Sequence, residues 1–398
     1  MNIQSLAALK FAAVLLVAAT SLLAQTSAPP AAARALGRVS VRNDSALARR
    51  AEVVTVSLAS LGGDLKPADA ARVWVKDGGG RDLVVQPIDL NGDYDDDTLA
   101  FPVDIAASAS ADFTVTLGER RRYKKEDFQV YGRFNRERFD DFAWENDKVA
   151  FRMYGQALET WVREPLTSSA VDAWVKKTSR LVVNDWYHVD DYHKDHGEGG
   201  DFYSAGRTRG CGGNGLMSEG KLFVSKNFRG SRVLSRGPIR LVFELTYEPW
   251  EVGSIMVRET KRVTLDAGSH FNRFESFYQT ESGAPLPETV LYAMGIRKEK
   301  GADVRVDPKS GLIRQWQALA SFGDDGSLGC AAMVDPARLA ETPEIDGNLL
   351  IGYRGPAPYY AGTGWDRGGD FKTMADFDAH VDGVAKRLAV PLKVEFVR

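Results

Sequence analysis

Through most of this chain, apolar side chains fall at every second position, and many of them are β-branched or aromatic. The alternation runs through 38–42, 51–57, 72–76, 82–86, 99–103 and 112–117, with turn residues closing each run. Short alternating runs at this spacing predict a small β-sandwich over residues 37–118. A charged stretch without apolar period, 119–126, reads as a linker. Beyond it, over 127–398, longer β-type runs at 180–183, 221–225, 239–247 and 254–265 predict a large antiparallel sandwich. The run 270–278 places Phe271, Arg273 and Glu275 on one face and Asn272, Phe274 and Ser276 on the other. Residues 266–269 have turn composition, so the two runs around them form a hairpin. One helix is expected over 374–388, where Met374, Phe377, Val381, Val384 and Leu388 make a stripe.

One apolar run has no polar alternation. Residues 11–23 are almost all Ala, Val, Leu and Phe, preceded by Lys10 and followed by the small residues Ala24, Ser27 and Ala28. A run of about a dozen residues is too short to span a bilayer and fits the core of a secretory signal peptide. Residues 1–28 are therefore expected to be removed, leaving a periplasmic or secreted chain without membrane insertion. An uncleaved anchor is the competing reading. The formal charge of −3 carries no basic excess, which argues against a nucleic-acid partner. Export also permits Cys211 and Cys330 to pair. A loop of that length would be worth about 4–5 kcal/mol. The alternative is that Cys211, in a glycine-rich stretch, serves a site instead.

Candidate chemistry concentrates at 186–201, which holds three of the five histidines, His188, His193 and His196, among acids and aromatics. His193, Asp195, His196 and Glu198 have the types of divalent-metal ligands, for zinc or calcium, although the spacing is not that of a closed structural zinc site. A metal-free acid/base site and a structural polar loop are the other readings. In 207–215, Arg209 among glycines suits bidentate capture of the carboxylate of an acidic sugar, or else the stretch is a structural turn. Trp144 has the ring to stack on a sugar, with Glu145 and Asn146 to bond hydroxyls; an acidic turn is the plain alternative. Glu259, Lys261, Arg273 and Glu275 make a second charged set, either a solvated face or the lining of a cleft. Tyr359, Tyr360 and Trp365 form a stacking platform or a tucked aromatic corner. The acids of 89–97 suit calcium, but Gly92 stands in the fourth position and fails the EF-hand pattern, so an acidic hairpin loop competes.

Several longer motifs carry a resemblance: YGRF at 131–134, DFAWEND at 141–147, DYHKDHGE at 191–198, RGCGG at 209–213, VSKNF at 224–228, ETKR at 259–262 and LDAGS at 265–269. Together they resemble an exported bacterial family catalogued as a domain of unknown function, DUF4861, over most of the chain. The resemblance implies a mainly β fold, a small N-terminal β-sandwich followed by a galactose-mutarotase-like antiparallel super-sandwich. It also implies a role beside machinery for pectin and other uronate polysaccharides, hence an acidic glycan partner. It supplies no catalytic residues. The expected function is β-elimination on a uronate glycan, which needs a carboxylate neutraliser, a base and an acid. Arg209 or a bound cation would neutralise, His193 or His196 would be the base, Tyr192 would donate, and Glu198 completes the set. A glycoside hydrolase would draw two carboxylates from Glu145, Asp195, Glu198 and Glu275. A mutarotase-like epimerase would use a His/Glu pair. A non-catalytic sugar binder would rely on Trp144, Trp365 and the tyrosines, with Lys261, Arg273, Glu275 and Tyr360 as further binding residues.

Overall fold

The computed structural model describes residues 33–189 and 191–398. The expected signal peptide, 1–28, lies outside the described residues. Among those described, no helix is long and apolar enough to cross a membrane.

The alternation of the first third builds two small antiparallel sheets. One has four strands in the order Lys393–Val397, Arg34–Arg42, Ser110–Leu117 and Val73–Lys76, and the other has Arg49–Ser57, Thr98–Ile105 and Gln86–Ile88. Their inward positions close on a core of Val39, Val41, Val54, Val56, Phe101, Phe113 and Val115. The edge strand comes from the far end of the chain: Val394 pairs with Val41 and Phe396 with Val39. Periodicity assigns Lys393–Val397 to the second domain, because a strand's period says nothing of its partner.

The remainder is built from three antiparallel sheets that share one core. A nine-stranded sheet includes Arg240–Thr246, Ile255–Asp266, Phe271–Thr280, Tyr359–Trp365, Ser327–Val334 and Leu312–Ala318 as consecutive neighbours. A six-stranded sheet carries Cys211–Ser218, Leu291–Arg297 and Asn348–Tyr353, and a five-stranded one carries Asp172–Lys176, Val149–Met153, Asp141–Asn146 and Val130–Asn135. Phe142 of the five-stranded sheet stacks on Phe243 of the nine-stranded one at 4.1 Å. The fold is thus mainly β and sandwich-like, as the pattern predicts. Cys211 and Cys330 are disulfide-bonded, which ties the six-stranded sheet to the nine-stranded one. The glycine-rich stretch expected as a loop continues into the strand Cys211–Ser218. Its glycines permit close sheet contact: Gly212 has φ +110°, and a Cβ there would lie 2.3 Å from that of Ala361.

The helix Met374–Ala389 begins at a capping box in which Thr373 Oγ accepts from Asp376 N–H while the Asp376 carboxylate accepts from Thr373 N–H. Its buried Phe377 and Val381 pack with Leu312, Ala331 and Met333 on the outer face of the nine-stranded sheet. The small sandwich rests on another part of that sheet: Gln86 donates to the Arg240 carbonyl at 2.7 Å and accepts from Ile239 and Arg240 N–H at 2.8 Å.

Candidate functional site

Three strands of the five-stranded sheet, and the residue following a fourth, each bring one charged side chain to the same buried spot. Arg152, on Val149–Met153, lies directly opposite Asp172 in the ladder. Its Nη2 is 2.7 Å from Asp172 Oδ2 and 2.9 Å from Asp201 Oδ2, and its Nη1 is 3.7 Å from Asp141 Oδ2. Three buried carboxylates so share one guanidinium, and Oδ1 of Asp172 and of Asp201 has no hydrogen-bond partner among the described residues. Desolvation decides the protonation here. Burial pushes the Asp141 carboxyl up to about 7, against Arg152 and the Gly155 N–H. Burial, and next the Asp172 charge, hold Asp201 well above the usual carboxylate range, with Arg152 opposing.

Over this nest runs the segment joining the helix Val183–Val189 to Gly199–Gly200. Trp174, Tyr187 and Tyr192 wall it, with Tyr192 stacked on Trp174 at 5.0 Å and edge-on to Tyr187. The Tyr192 hydroxyl accepts from Arg138, whose guanidinium lies 4.9 Å from the Tyr192 ring centroid. His193 sits at the surface above. Its Nδ1 is 2.8 Å from the Asp201 carbonyl oxygen, an acceptor only, so Nδ1 carries a proton and Nε2 of the neutral ring keeps its lone pair. The Asp201 carboxylate lies 3.8 Å from the same Nδ1. The imidazole stacks at 4.1 Å on Phe322, which is 51% exposed.

The other expected site residues are dispersed. The four named as metal ligands do not converge: His193 turns to Asp201, His196 Nε2 is 3.2 Å from Asp191, Asp195 pairs with Lys177 and Glu198 with Arg180. Among the described residues no three His, Cys, Asp or Glu side chains are placed to hold a metal ion. The acidic turn 89–97 bonds to itself, Asp89 accepting from Gly92 N–H at 2.6 Å and from Tyr94 N–H at 2.8 Å. His188 belongs to the helix Val183–Val189 and not to the loop. Tyr192 is buried beneath the loop, which removes it as a proton donor to substrate and leaves it a support for His193.

Arg209 is no carboxylate receptor. It is sealed between sheets, donating to Ser169 Oγ at 3.1 Å and to the Asn214 carbonyl at 3.0 Å, and burial pulls it down to about 10. Asn214 donates to Glu259 Oε1 at 2.7 Å, and Lys261 lies 3.9 Å from that oxygen while donating to the Tyr247 hydroxyl at 3.0 Å. Burial lowers Lys261 to about 8. Lys261 and Glu259 therefore belong to the sandwich interior, on the face opposite Arg273 and Glu275. The DFAWEND motif is structural too. Trp144 is fully buried and donates to Asn272 Oδ1 at 2.8 Å, so neither ring face is open to a sugar. Glu145 accepts from Lys176 at 2.7 Å and from Val182 and Val183 N–H at 2.9 and 2.8 Å, which anchors the start of the short helix. Asn146 pins the hairpin turn through the Asp266 and Ser269 carbonyls at 2.6 and 2.7 Å. Trp365 is tucked in, donating to the Asp325 carbonyl at 2.7 Å. Arg273, Glu275 and Tyr360 alone of the expected binding residues share a cavity, a cleft on the outer face of the nine-stranded sheet.

The residues that sequence reasoning passed over are Arg152, Asp172 and Asp201. Each lies in or beside an apolar strand, and a charged residue on a strand otherwise buried on both faces was the available signal: all five residues of Asp172–Lys176 are buried.

Comparison with known proteins gives four similarities. A model of a family described as a domain of unknown function (DUF4861) matches residues 41–394. Uncharacterized protein P7 of Formosa agariphila is 29% identical over 337 residues, covering 78% of this chain and 81% of that protein. Among solved structures, an alpha-mannosidase from Enterococcus faecalis V583 has a TM-score of 0.52 at 10% identity, over 91% of this chain and 46% of that one. A protein in the glycosyl hydrolase family 38 from Enterococcus faecalis has a TM-score of 0.53 at 10% identity, over 92% and 47%. The chain spans about half the length of these two structures, and at that identity the likeness is one of fold.

Proposed function

The chain belongs to the DUF4861 family, and from that footing we propose that it is an exported carbohydrate-active enzyme that cleaves a uronate-containing glycan by β-elimination, with His193 as its base. One observation carries the reading: the bond from Nδ1 to the Asp201 carbonyl fixes the tautomer that leaves Nε2 of an exposed imidazole free to take a proton. In the elimination the C5 proton passes to Nε2, the C4–O bond breaks, and a C4–C5 double bond forms. The imidazolium then returns the proton to the departing oxygen. The Asp201 carbonyl oxygen, which accepts from Nδ1–H, favours the cationic ring formed midway. Lys177 and Arg180 stand at the rim of the loop, paired in the free protein with Asp195 and Glu198, and would have to exchange those partners for the uronate carboxylate. Hydrolysis needs two carboxyl groups flanking the bond. The loop acids Asp195 and Glu198 are each tied to a cation, and the nest acids are buried, which favours elimination. The fold shared with proteins titled as a mannosidase and a glycosyl hydrolase supports a carbohydrate substrate.

The test is turnover of galacturonan, alginate and glucuronan oligosaccharides by the purified protein, followed by the ultraviolet absorbance of the unsaturated product. Wild type gives that signal on one of the three, chelator leaves it unchanged, and His193→Ala lowers it by about 100-fold or more with an unaltered melting temperature. New reducing ends without absorbance, or no turnover on any of the three, overturns the reading.

A further inference from the structure

A cleft of about 820 Å³ opens between the outer face of the nine-stranded sheet, residues 48–55 of the small sandwich, and the helix Met374–Ala389. That size falls within the range of ligand sites, roughly 300–1,000 Å³. No residue of the His193 loop lines it. Its walls carry six arginines, Arg49, Arg50, Arg240, Arg262, Arg273 and Arg387, against three carboxylates, Glu52, Asp266 and Glu275. Strand parity puts them there. Thr264 and Arg273 are paired across the ladder, as are Arg262 and Glu275, and Arg273 lies directly opposite Tyr360 on the other side.

The three carboxylates are all spoken for. Glu52 is 2.9 Å from Arg49, Asp266 is 2.7 Å from Arg240, and Glu275 is 2.9 Å from Arg273. Arg50 and Arg387 remain in excess, and Arg262, held from behind by Glu244 at 2.6 Å, lines the wall beside them. Low-dielectric walls lined with one sign of charge concentrate the opposite sign.

We infer that this cleft is a second binding site, separate from the His193 loop, for an acidic oligosaccharide whose carboxylate or sulfate groups meet Arg50, Arg262, Arg273 and Arg387 while a sugar ring lies on Tyr360. The sugar half of this inference rests on the carbohydrate reading above. The anion half stands on the arginine excess alone. Planar guanidinium groups suit both oxyanions through paired N–H donors.

Calorimetric titration of the full chain carrying His193→Ala separates binding from turnover. The probes are tetragalacturonate, a sulfated tetrasaccharide and an uncharged tetrasaccharide. One or both anionic probes bind, more weakly as salt rises, and the uncharged one does not. Adding Arg50→Glu, at an exposed position whose change leaves the fold intact, weakens binding at least tenfold, and Arg273→Gln does the same. Failure of both anionic probes, equal binding of the uncharged probe, or unchanged affinity in both arginine variants overturns the inference. Turnover without cleft binding breaks this inference alone, and cleft binding without turnover breaks the β-elimination reading alone.

Discussion

Beneath His193, Asp141, Asp172 and Asp201 gather on Arg152, while between the sheets Lys261 lies beside Glu259, and Arg209, bonded to Asn214, feels the same carboxylate. The two clusters have opposite charge excess, and both resolve it through protons. In the first, burial raises Asp141 to about 7 and holds Asp201 higher than an ordinary carboxylate. In the second, burial lowers Lys261 to about 8. Their positions give the imbalance different consequences. The acidic cluster lies directly under an exposed imidazole, within 3.8 Å of its Nδ1. The basic one is sealed inside the sandwich, reaches no substrate, and links strands Cys211–Ser218 and Ile255–Asp266 across the core. An ionisable residue at a plausible motif is thus a catalytic candidate only where its cluster meets the surface.

The largest effects come from removing the central counter-charge of each cluster. Arg152→Met leaves three buried carboxylates without their shared cation, and Glu259→Gln leaves two buried cations without their anion. Breaking a buried pair from one side costs about 3–5 kcal/mol, so both variants lose that much in urea unfolding at pH 7. The pH dependence distinguishes them. Acid restores Arg152→Met by protonating the carboxylates, and mild base restores Glu259→Gln by discharging Lys261. The same direction of recovery in both variants would break the contrast.

That contrast was only partly legible beforehand. The strand alternation was readable, and so was the placement of Phe271, Arg273 and Glu275 on one face. Parity also held the correction for Lys261: Val257, Glu259, Lys261, Val263 and Leu265 share one parity, and all are buried. Grouping Glu259 and Lys261 with Arg273 followed their charge and ignored their position in the period. The nest was hidden for another reason. Arg152, Asp172 and Asp201 are up to 49 residues apart, and strand pairing alone brings them together. The enclosure of Arg209 likewise depends on a second sheet closing over a glycine-rich stretch with no local mark of burial. The cleft is assembled from the small sandwich, the large sheet and the last helix, so no single segment announces it.

The two titrating residues sharpen the comparison further. Asp141 has its folded value raised from 3.8 to about 7, so its favourable contribution is complete below about pH 4 and is lost as pH rises through 7. At about 1.4 kcal/mol per tenfold change in proton affinity, the loss is up to about 4 kcal/mol at pH 8. Asp141→Asn removes the titration, so its stability advantage over wild type grows between pH 4 and 8 in chemical denaturation, and a flat difference would refute the nest's acid excess. Lys261 runs the other way. Its folded value is depressed from 10.5 to about 8, so the stability it allows is present above about pH 10.5 and is lost as pH falls through 8. Lys261→Met replaces the ammonium by an apolar group of similar length and relieves that burial, but it also deprives Glu259 of a neighbouring cation. The net gain is the smaller remainder, about 1 kcal/mol at pH 7, fading by pH 10. A gain that instead increased with pH would mean that Lys261 is already neutral at pH 7 and that the interior carries no positive excess.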